Sequence, residues 1–343
     1  MIEERDLDAA VAAGIVDAAT RERLVQFVRD HRRGAAGPDE EQFRLLTGFN
    51  DIFVTIAVGL VLVAVGSLVG AVSPVLGAGA VAAASWGLAE YFTRTRRMAL
   101  PSIVLLLTFV GSVFMTATIV LTGAMSVQVN DGAAISPGIV AAAAVAAIAA
   151  YAHWRRFMVP ITVAAGAGAI SVMAIAGAAI VAAGNSVVIL AATAAAGLAV
   201  FGLAMWFDSR DRARVTRRTD VAFWLHLLAA PLIIHPVFSL AGLLDKTPAP
   251  GAAAMVIVVY IGLTLVALAI DRRALLVSAL GYVIYAIEVL IGRGQGMSAS
   301  FGVTALVIGL FLVLLSAAWR PIRARVLAVL PGSVSGRLPV AAV

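Results

Sequence analysis

The chain has 343 residues, of which 62% are hydrophobic and 13% charged, and its mean hydropathy is +1.02. Soluble domains average roughly 45–50% apolar and about 25% charged residues, so a water-soluble globule of this size has too little polar surface to cover such a core; lipid as the solvent removes that constraint. The net charge of +6 does not imply nucleic acid, because the arginines fall in short clusters between apolar runs and build no continuous basic face, and the absence of cysteine excludes disulfides and thiolate metal sites.

The opening MIEERDLDAA is acidic and lacks an apolar h-region, so it does not read as a signal peptide. Residues 1–51 hold 11 acidic and seven basic side chains. Residues 1–50 are expected to form a cytoplasmic helical hairpin and linker. Leu7–Ala13 reads as a short helix stopped by Gly14. Asp17 caps a second helix running to about His31, with Leu24, Phe27, Val28 and His31 on one face. The hairpin, over residues 1–34, is either a solvated appendage or a docking site for a cytoplasmic protein. The stretch FRLLTGFND then leads into the membrane, with Asn50 or Asp51 as the helix cap.

Ten apolar runs follow: Ile52–Val72, Pro74–Phe92, Leu100–Thr122, Pro137–Trp154, Val159–Ala183, Ser186–Phe207, Val221–Leu244, Ala252–Ile270, Ala274–Ile291 and Ala299–Trp319. About 20 helical residues cross a hydrocarbon core of roughly 30 Å, so the expected fold is all-α: a polytopic transmembrane helix bundle of about ten spans over residues 51–319. With the N-terminus inside, 23 of the 25 basic residues fall on the inner side and only Lys246 and Arg293 outside, so both termini are expected to be cytoplasmic. The near-exclusive use of Arg over Lys suggests a GC-rich bacterium, and hence a bacterial inner membrane. Residues 320–343 are expected to form an interfacial helix, Arg320–Leu330, with Arg toward headgroups and Val326, Leu327 and Leu330 toward acyl chains, and a tail from Gly332.

Three inner turns look alike: RRMALPS at Arg96, RRFMVPI at Arg155 and RRALLVS at Arg272, two of them followed by Pro101 and Pro160. They are either a duplicated two-helix unit or the positive-inside rule acting on every short inner loop. The Ala- and Gly-rich fourth to sixth spans are expected at the bundle centre and the bulkier last span against lipid. The first span carries the pairing motif Gly66–xxx–Gly70.

Ionisable residues inside a membrane are costly and are default functional candidates. Four stand out: Glu90, His226, His235 and Glu288. Helix rise places His235 level with Glu288, about 21 Å from the inner boundary, and Glu90 level with His226 near that boundary. Two carboxylate–imidazole pairs are therefore expected as a substrate or proton pathway. Tyr285, at i−3, is in reach of Glu288, and Arg94, at i+4, in reach of Glu90. His153, at an inner helix end, is expected to be interfacial. Pro231 and Pro236 fall inside the seventh span and either break it, as in helices that line transporter sites, or only kink it. His226 and His235 are nine residues apart and face opposite sides of their helix, so no metal pair is expected there. No metalloprotease, nucleophile-elbow or P-loop motif is present, so neither an enzyme nor a cofactor is implied.

The hairpin LDAAVAAGIVDAATRERLVQFV, followed by a polytopic bundle with Glu–Arg-rich inner turns such as AEYFTRTRRMALPS, resembles a family of uncharacterised bacterial multi-spanning membrane proteins defined by a domain of unknown function. The resemblance implies the architecture and no activity, cofactor or site residue. Two functions are expected to compete. One is a carrier or permease for a small, weakly polar solute, proton-coupled through His235 and Glu288; the other is a membrane scaffold or regulator that recruits a partner through the hairpin.

Overall fold

A computed structural model describes residues 4–35, 49–124, 137–212, 214, 216–242, 252–277, 280–281, 283–284, 297–332 and 338. The chain divides into two compact units, one containing the first two helices and a large one spanning Arg44–Pro339. Every regular element among the described residues is helical.

In the small unit, α1 (Glu4–Ala12) ends as the sequence indicates. Gly14 takes φ +70°, its N–H donates to Val11 O, and the Ile15 N–H donates to Ala10 O. This is the paired-bond reversal for which glycine is favoured, since a Cβ is strained at positive φ. The next helix, α2 (Ala18–Ala35), is capped by Asp17: Oδ1 accepts from the Thr20 N–H at 2.6 Å and Oδ2 from the Thr20 hydroxyl at 2.9 Å. These bonds, the backbone one first, hold the Asp17 carboxyl below the usual carboxylate range. An Arg21–Asp8 ion pair at 2.7 Å ties the helices together. Among the described side chains of α2, Val25 is buried and Leu24 and Phe27 are exposed. Of the residues expected on their face, the side chains of Val28 and His31 lie outside those described.

The large unit comprises α3 (Phe49–Gly70), α4 (Pro74–Ala89, continued by a π-helical turn Glu90–Thr95), α5 (Ala99–Ala124), α6 (Pro137–Phe157), α7 (Ile161–Val181), α8 (Ser186–Ser209), α9 (Arg217–Leu240), α10 (Ala252–Ile270), helical residues from 274, α11 (Met297–Ala317) and α12 (Trp319–Val329). Seven of these, α3 to α9 with the π turn included, are 21 to 25 residues long and apolar enough to cross a membrane. They coincide with the first seven expected spans. The count reaches eight if α11 and α12, bent by 74° at Ala318, form one span. The expected eighth span is α10, Ala252–Ile270, 19 residues without a charged side chain. Most of the expected ninth lies outside the described residues; among those described, seven to eight spans are supported.

Local chemistry sets the helix starts. Pro74 occupies the first turn of α4, where its missing N–H costs nothing. The Asn185 side chain accepts from the N–H groups of Val187 and Val188 to cap α8, and Thr216 accepts from Arg218 N–H to cap α9. Asn50 and Asp51 do not cap α3; the helix begins at Phe49 and both lie within its first turn. Close helix contacts also follow from small residues. A Cβ on Gly77 would lie 2.6 Å from Gly70 Cα and 3.2 Å from Gly66 O, so the Gly66–xxx–Gly70 motif serves the packing of α3 on α4. A Cβ on Gly197 of α8 would lie 2.9 Å from the Leu232 carbonyl carbon of α9.

The structure bears on four expectations, two of them open alternatives. Among the seven described spans α9 is the most enclosed, 50% buried, followed by α6 at 33% and α7 at 28%, so the seventh span joins the expected fourth and fifth at the centre, while the sixth, α8, is 17% buried. α9 also runs without a break through Pro231 and Pro236. The Arg-pair turns differ in backbone: the left-handed residue is Arg97 in the first, Met158 in the second and Asp271 in the third, at different offsets from the pair. That favours a shared charge requirement over a duplicated unit. Finally, α12 does not turn its apolar side to acyl chains. Val326, Leu327 and Leu330 pack against the core formed by Phe238, Leu268 and Trp319, and Arg323 is buried. The bulky last span does present an exposed apolar face, through Leu306, Val313 and Leu314.

Candidate functional site

At the end of the bundle where α8 and α10 finish, three acidic side chains are buried with arginines. The chain reverses after α10 through Asp271, whose φ is +56°, with Arg272 N–H donating to Ala267 O and Asp271 N–H to Leu268 O. Asp tolerates this left-handed conformation better than most residues. The reversal leaves Asp271 4% and Arg272 1% exposed.

Arg272 grips both oxygens of Asp208, the buried acid near the end of α8. Nε donates to Oδ2 at 3.1 Å and Nη2 to Oδ1, and Nη2 also reaches Thr219 O at 3.3 Å. His226, two turns along α9 and fully buried, brings Nδ1 within 3.8 Å of Asp208 Oδ2 and 2.8 Å of Ala222 O. A carbonyl only accepts, so Nδ1 carries the proton toward Ala222. Nε2 is then the lone-pair nitrogen; it is buried and has no hydrogen-bond partner among the described residues. Phe201 of α8 packs edge-on to the ring at 5.4 Å.

A second cluster adjoins it. Asp271 accepts from Arg214 Nη1 and from the Trp319 indole N–H, each at 2.7 Å, while Arg323 Nε lies 3.8 Å away and donates to Leu268 O. Asp211 accepts from the Thr216 N–H at 2.9 Å and the Thr219 hydroxyl at 3.0 Å. One carboxylate thus ties the α8–α9 connection to α12.

Glu90 stands in the π turn. Arg156 of α6 donates to both of its oxygens, at 2.7 and 2.9 Å, and the expected Arg94 contact is longer, at 3.4 Å. Glu90 therefore braces α4 to α6 and does not pair with His226, which has its own partners. His235 is half-buried on α9. Glu288 and Tyr285 lie outside the described residues, as does their expected pairing. Pro236 is buried and Pro231 half-buried, both within continuous helix.

His153, expected at the interface, is enclosed by protein. It is fully buried between Trp86, Phe109 and Phe157, with Nδ1 3.3 Å from the Thr162 hydroxyl. Among the described residues no three His or acidic side chains converge as a metal site. The residues that the sequence reading passed over are Asp208, Asp271, Arg272 and Arg214. Their signal was present in WFDSRDRAR and AIDRRAL, where an acid closes an apolar run beside the arginines that report orientation.

Comparison with known proteins adds no relative: no protein-family model matches the chain, nor does any curated protein or solved structure.

Proposed function

We propose that this helical membrane protein is a carrier for a small, weakly polar solute and that proton coupling centres on His226, with Asp208 and Arg272 as its fixed charges. The supporting observation is the fully buried imidazole whose Nε2 has no partner among the described residues, beside the Asp208–Arg272 ion pair. Ionisable groups inside a membrane bundle are costly and are characteristic of proton and substrate paths. His235 and Glu288, further along, form the outer level of the path in this reading. The 23-to-2 distribution of basic residues supports an inner-membrane orientation with both termini cytoplasmic, which puts the His226 cluster on the cytoplasmic side.

The test uses the full chain in vesicles loaded with a pH dye and challenged with gradients of weakly polar solutes. Solute-driven proton movement is expected in the unmodified protein and lost in His226→Gln, with the fold retained. Equal proton movement in the two proteins would remove the coupling role.

A second reading, a scaffold that recruits a cytoplasmic protein through residues 1–34, is favoured by Ile15, Leu24 and Phe27, which are 77%, 41% and 64% exposed. Deleting residues 1–34 without changing the set of co-purifying proteins would argue against it.

A further inference from the structure

The arginines at the helix ends sort by partner. Arg272, Arg214 and Arg323 turn inward and lie against Asp208 or Asp271. Arg94 and Arg156 share Glu90. Arg96, Arg155 and Arg210 are exposed and belong to none of the ion pairs among the described residues. Each of these three has an aromatic ring instead. The Arg96 guanidinium lies 5.5 Å from the Tyr91 ring centre, and its Nε donates to the Tyr91 hydroxyl at 3.1 Å. Arg155 lies 5.8 Å from the Tyr151 ring centre, and its Nη1 donates to that hydroxyl at 2.9 Å. Arg210 lies 4.1 Å from the Trp206 ring centre. The rings stand at the ends of the α4, α6 and α8 spans and are 47%, 59% and 46% exposed. Spans joined in sequence alternate in direction, so these three ends share one side of the bilayer.

Exposed apolar surface leads up to the rings. On α6, Val145 and Ile148 are 41% and 67% exposed and share a face with Tyr151. On α8, Leu198 is 61% exposed, two turns before Trp206. The order along the helix is therefore apolar stripe, ring, cation. From Ile148 to Arg155 the rise is about 10 Å. Exposed rings of this kind settle at the headgroup level of a bilayer. The Tyr151 hydroxyl takes one of the five N–H donors of Arg155 and leaves the rest for phosphate oxygens.

We propose that these ring-mounted arginines form a binding surface for anionic phospholipids, with the phosphate on the guanidinium and an acyl chain along the stripe. A zwitterionic lipid carries its own cation beside the phosphate and gains less at the arginine. An acidic protein segment matches the charge and leaves the apolar stripe uncovered. The inference does not rest on the carrier reading, since none of these residues belongs to the His226 cluster.

The experiment is stepwise delipidation of the full chain from bilayers of equal phosphatidylglycerol and phosphatidylcholine, with the last retained lipids counted by native mass spectrometry. Phosphatidylglycerol is expected to be retained in preference. Arg155→Gln and Arg210→Gln should each lower that preference about fivefold, the effect of one arginine near an anionic surface. Tyr151→Leu and Trp206→Leu keep both charges and remove the rings; they should lower the preference as well, which charge alone does not predict. Equal retention of the two lipids by the unmodified protein overturns the proposal, and is the result expected if the arginines serve an acidic protein instead. Unchanged preference in the two arginine variants overturns it, as does unchanged preference in the two ring variants. If an arginine variant does not fold, the other, on a separate helix, decides; if neither folds, the ring variants do.

Discussion

Replacing Arg272 with Leu removes the guanidinium that holds both oxygens of Asp208 and leaves that carboxylate buried with His226 at 3.8 Å. The side chains are 1% and 2% exposed, so the relevant magnitude is that of a broken buried pair, about 3–5 kcal/mol. A surface pair would contribute only about 0–1 kcal/mol. The same physics makes the double variant Asp208→Leu/Arg272→Leu milder than the single change, because no uncompensated charge remains. Unfolding of the full chain in mixed detergent micelles, run as a double-mutant cycle, measures both. A single-variant loss below about 1 kcal/mol, or a double variant as unstable as Arg272→Leu, would refute the view that this pair is a desolvated brace.

In the same assay Gly77→Ala should cost about 1–3 kcal/mol, because its Cβ would meet the Gly70 backbone at 2.6 Å, which cannot rotate away. Gly59→Ala, with nothing within 4 Å, should be neutral or stabilising. Glu90→Gln should cost less than Arg272→Leu, since the side chains of Glu90 and Arg156 are 33% and 42% exposed. For Asp17, whose folded pKa lies below its ordinary 3.8, the capping contribution is complete above that value and is lost as pH falls through the lower folded value. Amide exchange in the first turn of α2 should therefore accelerate in acid and show no such step in Asp17→Ala.

Features set by local covalent geometry were legible in the sequence. Gly14 and Asp17 do what a stop and a cap must do with backbone N–H groups, and Gly66 and Gly70 leave the space that Gly77 uses. Helix depth was not enough to pair side chains. Glu90 and His226 lie at similar levels, but depth carries no azimuth, and Arg156 and Asp208 were the neighbours. Counting arginines as orientation signals concealed the ones that turn inward. Arg272 and Arg214 lie beside Asp208 and Asp271 only because the chain reverses at Asp271 and folds back from α8, contacts that span 64 and 57 residues. The enclosure of His153 was hidden for a related reason: nearness to a helix end says nothing about the Trp86 and Phe109 side chains that pack around it.

The 64-residue separation of Asp208 and Arg272 also has a consequence for biosynthesis. At about 5–20 residues per second, the ribosome adds Arg272 about 3–13 s after Asp208. Until then α8 carries a carboxylate without the Arg272 guanidinium that holds it in the finished chain. A nascent chain that stops short of Arg272 keeps that charge uncompensated, so the ion pair marks completed molecules apart from interrupted ones. Membrane quality-control proteases should clear such truncated chains faster than truncated Asp208→Leu chains.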